Sequence, residues 1–194
     1  ALNTSKGIKR EDFIKIFLKN LNSQSKIIST TGFTSRELFQ IRSHYKFSKG
    51  KDFYMVGGMG HSSMVALGIS LKTKKQVVCL DGDGSLLMHM GSLANIGFYA
   101  SLNYKHVIFN NFCHESVGSQ KTNTENIDIK SLALSMGYKK YYHIKNKKEL
   151  PKILKKFFLC KGPCMLEVLT KNISMKNLVR PKNLLEIKKN FMAD

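Results

Sequence analysis

A carboxylate between two glycines is the first group in the sequence that could do chemistry. Gly82 and Gly84 flank Asp83, and Ser85 follows. The apolar run 77–80 precedes this segment, with Asp81 between them. Glycines at a strand-to-helix turn let the backbone approach a phosphate closely, and the free N–H groups of the next helix attract it. A carboxylate beside a phosphate is repelled unless a cation lies between them, and Mg²⁺ prefers oxygen ligands together with phosphates. The segment therefore suggests a diphosphate held through a metal, with Asp83 as a metal ligand.

A second oxygen ligand is expected from the neighbouring strand end. The strand predicted over 106–110 stops directly before Asn111, whose side chain carries an amide oxygen. In a parallel sheet, ligands bind at the carboxyl ends of the strands, where the strand order reverses. A lone Gly-Asp-Gly usually marks nothing more than a tight turn, so the pairing of Asp83 with Asn111 carries the interpretation.

Two other phosphate-binding motifs are excluded by spacing. No Gly-x-x-x-x-Gly-Lys-Ser/Thr string is present, so the chain has no Walker loop. The dinucleotide fingerprint needs a glycine or alanine three residues after Gly84, and Leu87 stands there.

Predicted strands and helices alternate along the chain. Short apolar or β-branched runs predict strands at 26–29, 54–56, 76–80, 106–110, 141–144 and 165–169. Helical spacing predicts helices at 14–21, 62–71, 85–100, 128–136 and 147–160, and a capping box of Thr34 and Glu37 predicts one more through Ile41. This order indicates an α/β fold, a doubly wound, mostly parallel sheet with helices on both faces.

The length suits one domain, residues 1–194, whose last part, 171–194, is a basic C-terminal extension with a short helix started by Pro181. The polar segment 111–126 is longer than a usual connection and follows a strand, which is typical of functional loops.

The chain is strongly basic, since 32 Lys plus Arg oppose 13 Asp plus Glu for a formal net charge of +19. An anionic ligand or partner is therefore expected. A nucleic-acid-binding module is the alternative from another class, but no RRM, KH or zinc-finger pattern supports it. Salt-sensitive retention on nucleic acid would favour that alternative.

The sequence predicts a cytoplasmic protein without a membrane partner. No apolar stretch approaches the roughly 18 to 20 residues of a membrane span, and the first residues lack a secretory signal. The four cysteines form no CxxC pair and are expected to be reduced thiols. They are Cys79, Cys113, Cys160 and Cys164.

Four segments carry a resemblance to a known family over about residues 8–170. Gly82-Asp83-Gly84-Ser85, followed by the second residue of Asn110-Asn111, is similar to the diphosphate and metal motif of thiamine diphosphate enzymes. The upstream Gly57-Gly58-Met59-Gly60 is similar to the loop that bends their cofactor. Within these enzymes, 31–38, 58–61 and 111–118 resemble the phosphonopyruvate decarboxylases, with the sulfopyruvate decarboxylases as near relatives.

The resemblance implies a role for each residue of the metal and diphosphate motif. Asp83 and Asn111 would bind Mg²⁺ through their side chains, with the Cys113 carbonyl as a third protein ligand. Gly84 and Ser85 would hold the diphosphate of thiamine diphosphate, in the cradle that Gly82 opens.

The upstream loop would hold the other end of the cofactor. The resemblance implies that the Gly57 carbonyl and the Met59 N–H bond the aminopyrimidine, and that the Met59 side chain supports the bent cofactor. Taken alone, Met59 is more simply explained as a core methionine, but its place between glycines at a strand end favours the functional interpretation.

Three further residues are candidate catalytic groups. A lone histidine is usually structural, but His61 and His114 follow cofactor loops, and each could instead contact substrate or relay a proton. Arg36 lies in the first turn of a predicted helix, where a cation opposes the helix dipole, so it is either solvated or retained to meet an anion. The second interpretation is favoured.

The resemblance implies a decarboxylase that converts 3-phosphonopyruvate to phosphonoacetaldehyde and CO₂, with sulfopyruvate as the alternative substrate. An anionic tail on a 2-oxo acid needs Arg, Lys, His or N–H partners. The resemblance also implies an activating glutamate from a second, pyrimidine-binding domain or subunit. The chain alone is therefore expected to be catalytically silent and to form a homo- or hetero-oligomer.

Overall fold

The computed structural model describes residues 7–45, 47 and 51–193. Its strands are β1 (Lys26–Ser29), β2 (Lys51–Tyr54), β3 (Val77–Gly82), β4 (Tyr104–Asn110), β5 (Cys113–His114), β6 (Gln120–Lys121), β7 (Lys140–Ile144) and β8 (Cys164–Leu169). Six of them form a parallel sheet in the order β2-β1-β3-β4-β8-β7. The other two, β5 and β6, pair as a short antiparallel hairpin in the loop after β4.

Helices cover both faces of the large sheet. They are α1 (Arg10–Asn20), α2 (Phe33–His44), α3 (Ser62–Ser70), α4 (Asp83–Met88), α5 (Ser92–Tyr99), α6 (Ile129–Ser135), α7 (Leu150–Leu159) and α8 (Leu184–Met192). None of the described helices is long and apolar enough to cross a lipid bilayer.

Each face of the sheet has its own apolar core, because successive strand residues point to opposite sides. Ile27 and Val78 pack with α1, α2 and α7, whereas their chain neighbours Ile28 and Cys79 pack with α3, α5 and α6. Helices on both faces of a parallel sheet confirm the predicted doubly wound α/β fold.

The strand order reverses between β1 and β3, which places the site. From β1 the chain moves to β2 on one side, and it then returns to β3 on the other side of β1. Ligands bind at such a switch point, outside the carboxyl ends of the strands. The loops that follow β1, β3 and β4 therefore meet at one edge of the sheet.

Each predicted strand overlaps an observed strand, although the one predicted over 54–56 shares only Tyr54 with β2. Strand β2 stops at Tyr54 rather than at residue 56, because the chain turns there toward Gly57 and Gly58, which have φ of +73° and +56°. The prediction of residues 147–160 as one helix was close, since a short 3₁₀ turn, Lys147–Glu149, leads into α7.

The predicted capping box of Thr34 and Glu37 was wrong. Helix α2 starts at Phe33 with Gly32 as its N-cap, and no side chain caps it. Gly32 adopts φ of +88° and its carbonyl accepts the Arg36 N–H, so Thr34 lies inside the first turn. The Glu37 carboxylate is drawn instead to the buried Arg10.

The single helix predicted over 85–100 was also wrong. Helix α4 ends at Met88, and α5 begins at Ser92 after a turn through His89 and Gly91. A Cβ built on Gly60 would lie 2.4 Å from the His89 ring, so this turn packs directly against the loop after β2. Tertiary packing therefore interrupts a segment whose local pattern is helical.

The expectation of four reduced cysteines was wrong for two of them. Cys160 and Cys164 form a disulfide between the end of α7 and the start of β8. Cys79 and Cys113 are free and buried.

Candidate functional site

A cleft of about 600 Å³ opens at the carboxyl ends of β1, β3 and β4. This volume lies in the range of small-molecule and cofactor sites. Every candidate site residue predicted from the sequence lines it, except His61. Those residues are Arg36, Gly57, Met59, Gly82, Asp83, Gly84, Ser85, Asn111, Cys113 and His114.

Asp83 presents a buried carboxylate at the first residue of α4. Its Oδ2 accepts hydrogen bonds from the hydroxyls of Thr122 at 2.5 Å and Thr124 at 3.0 Å. Burial raises the pKa of this carboxyl above its usual value, although the two hydroxyls act in the opposite direction. No Lys or Arg within the described ranges forms an ion pair with it, so a bound cation would supply the missing positive charge.

Asn111 lies at the end of β4, and the loop after it holds its side chain at both ends. The amide oxygen accepts the Cys113 N–H at 3.2 Å, and the amide nitrogen donates to Glu115 Oε2 at 3.3 Å. The side-chain oxygens of Asp83 and Asn111, with the Cys113 backbone carbonyl, form the kind of donor set that hard divalent cations prefer.

Gly84 brings three elements of the site together. A Cβ built on Gly84 would lie 2.4 Å from Cε1 of His114 and 3.3 Å from Cε of Met59. The first distance is shorter than any real contact, so a side chain here would displace the imidazole. A Cβ on Gly82 would meet nothing within 4 Å, which leaves open space beside the backbone. The strand-to-helix turn is therefore tightly packed at Gly84 and open at Gly82. A ligand could lie against the open part of the turn.

Ser85 joins the loops of three strands. Its hydroxyl is 3.0 Å from the Thr30 hydroxyl after β1, and it accepts the Gly60 N–H at 3.0 Å from the loop after β2. That loop turns sharply because Gly57, Gly58 and Gly60 all have positive φ. The glycines hold Met59 at the wall of the cleft.

A buried arginine that the sequence analysis missed supports the side of the cleft that holds Asn111. Arg10 Nε lies 2.8 Å from Glu37 Oε2, and its Nη1 lies 3.0 Å from Glu115 Oε2, the oxygen that also binds Asn111. Burial alone would lower the pKa of Arg10, but the two carboxylates raise it above its ordinary value. Its Nη2 is buried with no hydrogen-bond partner in the described structure, and the residue lines the cleft.

A signal for Arg10 is present in the sequence. The residue lies three, four and seven positions before Phe13, Ile14 and Phe17, so it belongs to the buried face of α1. Thr30, Thr122 and Thr124 carry no such signal, because they reach Ser85 and Asp83 only through the folded chain.

A buried chain of hydrogen bonds lies beneath the turn of residues 82–85. The Asp81 carboxylate accepts the Gly82 N–H at 3.0 Å and lies 3.4 Å from His106 Nε2. The other ring nitrogen of His106 is 2.8 Å from the Tyr138 hydroxyl. The backbone that enters the cradle is thus held in place from the interior of the sheet.

The three candidate catalytic residues do not all lie in the same cleft. His114 and Arg36 line the cleft, and the Arg36 guanidinium lies 5.7 Å from the centre of the Phe33 ring. His61 instead lines a neighbouring pocket, where its ring centre is 4.1 Å from that of His89. The structure therefore brings together two of the three.

Residues 31–168 match the family model of the thiamine pyrophosphate enzyme, C-terminal TPP binding domain. Phosphonopyruvate decarboxylases from Streptomyces viridochromogenes and Streptomyces hygroscopicus are 35% and 36% identical over 165 residues. This alignment spans 85% of this chain but only 40% of either relative. A sulfopyruvate decarboxylase subunit beta from Methanocaldococcus jannaschii is 38% identical over 130 residues, 66% of each protein.

The fold is also similar to a solved structure. An X-ray structure from Mycobacterium smegmatis, described as that of a thiamin diphosphate-dependent enzyme, superposes with a TM-score of 0.70 at 19% identity. The match covers 85% of this chain and 32% of that chain, and it shows the fold alone. Because the family model covers well over half of its residues, this chain belongs to the thiamine pyrophosphate enzymes, as a C-terminal TPP binding domain.

Proposed function

We propose that this chain is the diphosphate-binding part of a thiamine diphosphate- and Mg²⁺-dependent decarboxylase that converts 3-phosphonopyruvate to phosphonoacetaldehyde and CO₂. The observation that carries the proposal is the meeting of Asp83, Gly84, Asn111 and His114 in one cleft at the switch point of the sheet. The similarity to two phosphonopyruvate decarboxylases supports the choice of substrate.

The residues present fit the cofactor and its metal. Asp83, Asn111 and the Cys113 carbonyl would hold Mg²⁺, because all three offer oxygen atoms. The Asp83 carboxylate is buried and accepts hydrogen bonds from hydroxyls rather than pairing with a Lys or Arg of the described residues. Gly82, Gly84 and Ser85 would hold the diphosphate, and Gly57 and Met59 would hold the pyrimidine end. When bound, thiamine diphosphate supplies a nucleophilic carbon and accepts the electron pair released by the loss of CO₂.

The residues of the chain would position the substrate around that carbon. His114 and Met59 both approach Gly84, so His114 lies beside the proposed diphosphate turn, where it can donate a proton to substrate or hold it. Arg36 adds a cation to the lining of the same cleft, suited to the anionic tail of the acid. His61 lines the neighbouring pocket, so it is given no role in this proposal.

Sulfopyruvate is the second candidate substrate, favoured by the 38% identity to a sulfopyruvate decarboxylase subunit beta. Its sulfonate carries one negative charge where a phosphonate carries up to two. Both tails need cationic or N–H partners, so the cleft suits either.

A pyrimidine-binding domain or subunit would complete the site. The chain spans 40% of the phosphonopyruvate decarboxylases that it matches, which leaves room in those relatives for another domain. Glu37 and Glu115 are both paired with Arg10, so neither is free to serve as the activating glutamate. Val56 and Val117 line the cleft although each is 68% exposed, which gives a partner an apolar surface to cover.

The test compares the chain alone with the chain assembled with its pyrimidine-binding partner, in the presence of Mg²⁺ and thiamine diphosphate. We expect no CO₂ release by the chain alone, and turnover of phosphonopyruvate above sulfopyruvate and pyruvate by the assembly. A preference for pyruvate would refute the substrate assignment. Robust decarboxylation by the chain alone would refute the need for a partner.

Asp83→Ala provides the cofactor control. Loss of the carboxylate should severely weaken binding of thiamine diphosphate and Mg²⁺, measured by titration calorimetry on the assembled protein. Unchanged binding in this variant would overturn the assignment of the site.

A further inference from the structure

The segment after β8, residues 171–193, is called the tail, and it folds back onto α2. The Met175 N–H donates to Glu37 Oε1 at 2.9 Å, and the Val179 N–H donates to Gln40 Oε1 at 3.3 Å. Both acceptors are buried side chains, and the hydrogen bonds themselves are partly buried. The tail is therefore attached to α2 at two points, four residues apart.

The end of the tail is attached a second time, at the edge of the sheet. Phe191 of α8 is buried, and its ring centre lies 5.5 Å from that of Phe53 in β2. The Lys26 ammonium donates to the Phe191 carbonyl at 2.8 Å. Residues 171–193 thus pack onto the rest of the domain, and the helix predicted to start at Pro181 begins instead at Leu184.

Between these two attachments the tail contributes to the wall of the cleft. Arg180, Pro181 and Leu184 line it together with Arg36. Arg180 lies beyond residues 31–168, which match the family model, and it adds a charged group to the wall of the cleft.

The charges around the cleft leave two arginines for an anion. Glu115 is paired with Arg10, and Asp83 accepts hydrogen bonds from two threonine hydroxyls. In residues 7–45, 47 and 51–193, neither Arg36 nor Arg180 has a carboxylate at ion-pair distance. A guanidinium binds phosphonate or sulfonate oxygens with two parallel hydrogen bonds, which makes arginine suited to recognise such a group.

We infer that Arg180 is a specificity-determining residue that, with Arg36, binds the phosphonate or sulfonate end of the 2-oxo acid substrate. The inference rests on the proposed function and adds the residue that distinguishes such acids from pyruvate. Pyruvate has a hydrogen atom where these acids carry the phosphonate or sulfonate, so it gains nothing from this arginine.

The test uses Arg180→Ala in the enzyme assembled with its pyrimidine-binding partner, Mg²⁺ and thiamine diphosphate. We expect the KM for phosphonopyruvate to rise by about tenfold or more, the loss of one charge-assisted interaction, with kcat within about twofold. The kcat/KM for pyruvate should stay within about twofold. Arg180→Lys should give an intermediate KM, because it keeps the charge but loses the planar fork.

A binding measurement keeps the test independent of turnover. 3-Phosphonopropionate carries the phosphonate but no ketone, so it cannot react, and its Kd by calorimetry should rise in Arg180→Ala in parallel with KM. Propionate, which lacks the phosphonate, should bind both proteins alike. The same pair of titrations with 3-sulfopropionate shows which anion the site prefers.

Lys182→Ala is the matched control, since Lys182 is an exposed cation two residues away that does not line the cleft. Equal KM values for Arg180→Ala and Lys182→Ala would overturn the inference, as would an equal loss of pyruvate and phosphonopyruvate turnover. Failure of the proposed function is separate, because it shows in the unaltered enzyme as a preference for pyruvate or no turnover.

Discussion

Arg10 Nη1 lies 3.0 Å from Glu115 Oε2, although the two residues are 105 positions apart in the sequence. The same carboxylate oxygen accepts a hydrogen bond from Asn111, and the same guanidinium is paired with Glu37 of α2. The arginine therefore connects the first helix of the domain to the loop that carries a proposed metal ligand.

Replacing Arg10 should destabilise the domain strongly. Arg10→Met leaves the buried carboxylate of Glu37 and the partly buried carboxylate of Glu115 without their cation. Breaking a buried ion pair from one side costs about 3 to 5 kcal/mol, so the free energy of unfolding in urea should fall by about that amount.

An exposed pair provides the control for this prediction. Lys147 lies 3.3 Å from Asp12, with 60% of its side chain exposed. Lys147→Met should lower the free energy of unfolding by less than about 1 kcal/mol, because water screens the pair. Similar losses in the two variants would show that the Arg10 network contributes no special stability.

Gly84→Ala should disturb the site through His114. The new methyl group would lie 2.4 Å from the imidazole, so the ring, or the turn of α4, must shift. Overpacking of this kind costs about 1 to 3 kcal/mol, and the affinity for thiamine diphosphate and Mg²⁺ should fall at least about tenfold in calorimetry of the assembled protein.

Gly68→Ala is the matched substitution. Gly68 lies inside α3, and a Cβ there meets nothing within 4 Å. This variant should gain about 0.5 to 1 kcal/mol in stability and bind the cofactor normally. If Gly84→Ala behaved in the same way, the tight contact with His114 would have no functional meaning.

Much of the fold is predictable from the sequence, because burial on both faces leaves a strong local pattern. Strand β1 has the predicted bounds, and β4 and β8 contain the predicted residues, since each is a short apolar or β-branched run. Asp83 and Asn111 were recognisable because each lies within three residues of the end of such a run.

The remainder depends on contacts between distant residues. Thr122 reaches Asp83 over 39 positions, and nothing near Thr122 marks it as a partner. Glu37 looks like a capping residue in sequence, but its buried pairing with Arg10 decides its conformation. The tail reads as solvated basic residues, because its attachment uses backbone N–H groups that carry no sequence signal.

Lys105 should give the stability a distinctive pH dependence. Burial lowers the pKa of this lysine to about 8, from the ordinary value of 10.5. The folded state then releases its proton at a lower pH than the unfolded state, so stability should rise with pH from about 8 upward. The slope is about 1.4 kcal/mol per pH unit from this group.

Urea unfolding between pH 8 and about 9.5, below the ordinary titration range of tyrosine, measures this slope. Lys105→Met removes the titrating group, so the difference in stability between the two proteins should change over this interval. Lys130→Met, at an exposed lysine of α6, should leave the slope intact. Parallel curves for the unaltered protein and Lys105→Met would contradict the prediction.

The ionised carboxylate of Asp83 should destabilise the domain when no ligand is bound. Burial raises the pKa of its carboxyl, so the folded state holds this proton to a higher pH than the unfolded state. The contribution of Asp83 to stability is therefore greatest at low pH and is lost as pH rises through the folded pKa. Asp83→Asn removes this charge but still accepts hydrogen bonds from Thr122 and Thr124.

Without ligands at pH 7, Asp83→Asn should be more stable than the unaltered protein, because the substitution removes a charge that burial penalises. Thermal melting should also show that the stabilisation by Mg²⁺ and thiamine diphosphate, present in the unaltered protein, is lost in the variant. Asp128→Asn, at the exposed N-cap of α6, should keep that stabilisation. A full Mg²⁺-dependent shift in Asp83→Asn would mean that another group binds the metal.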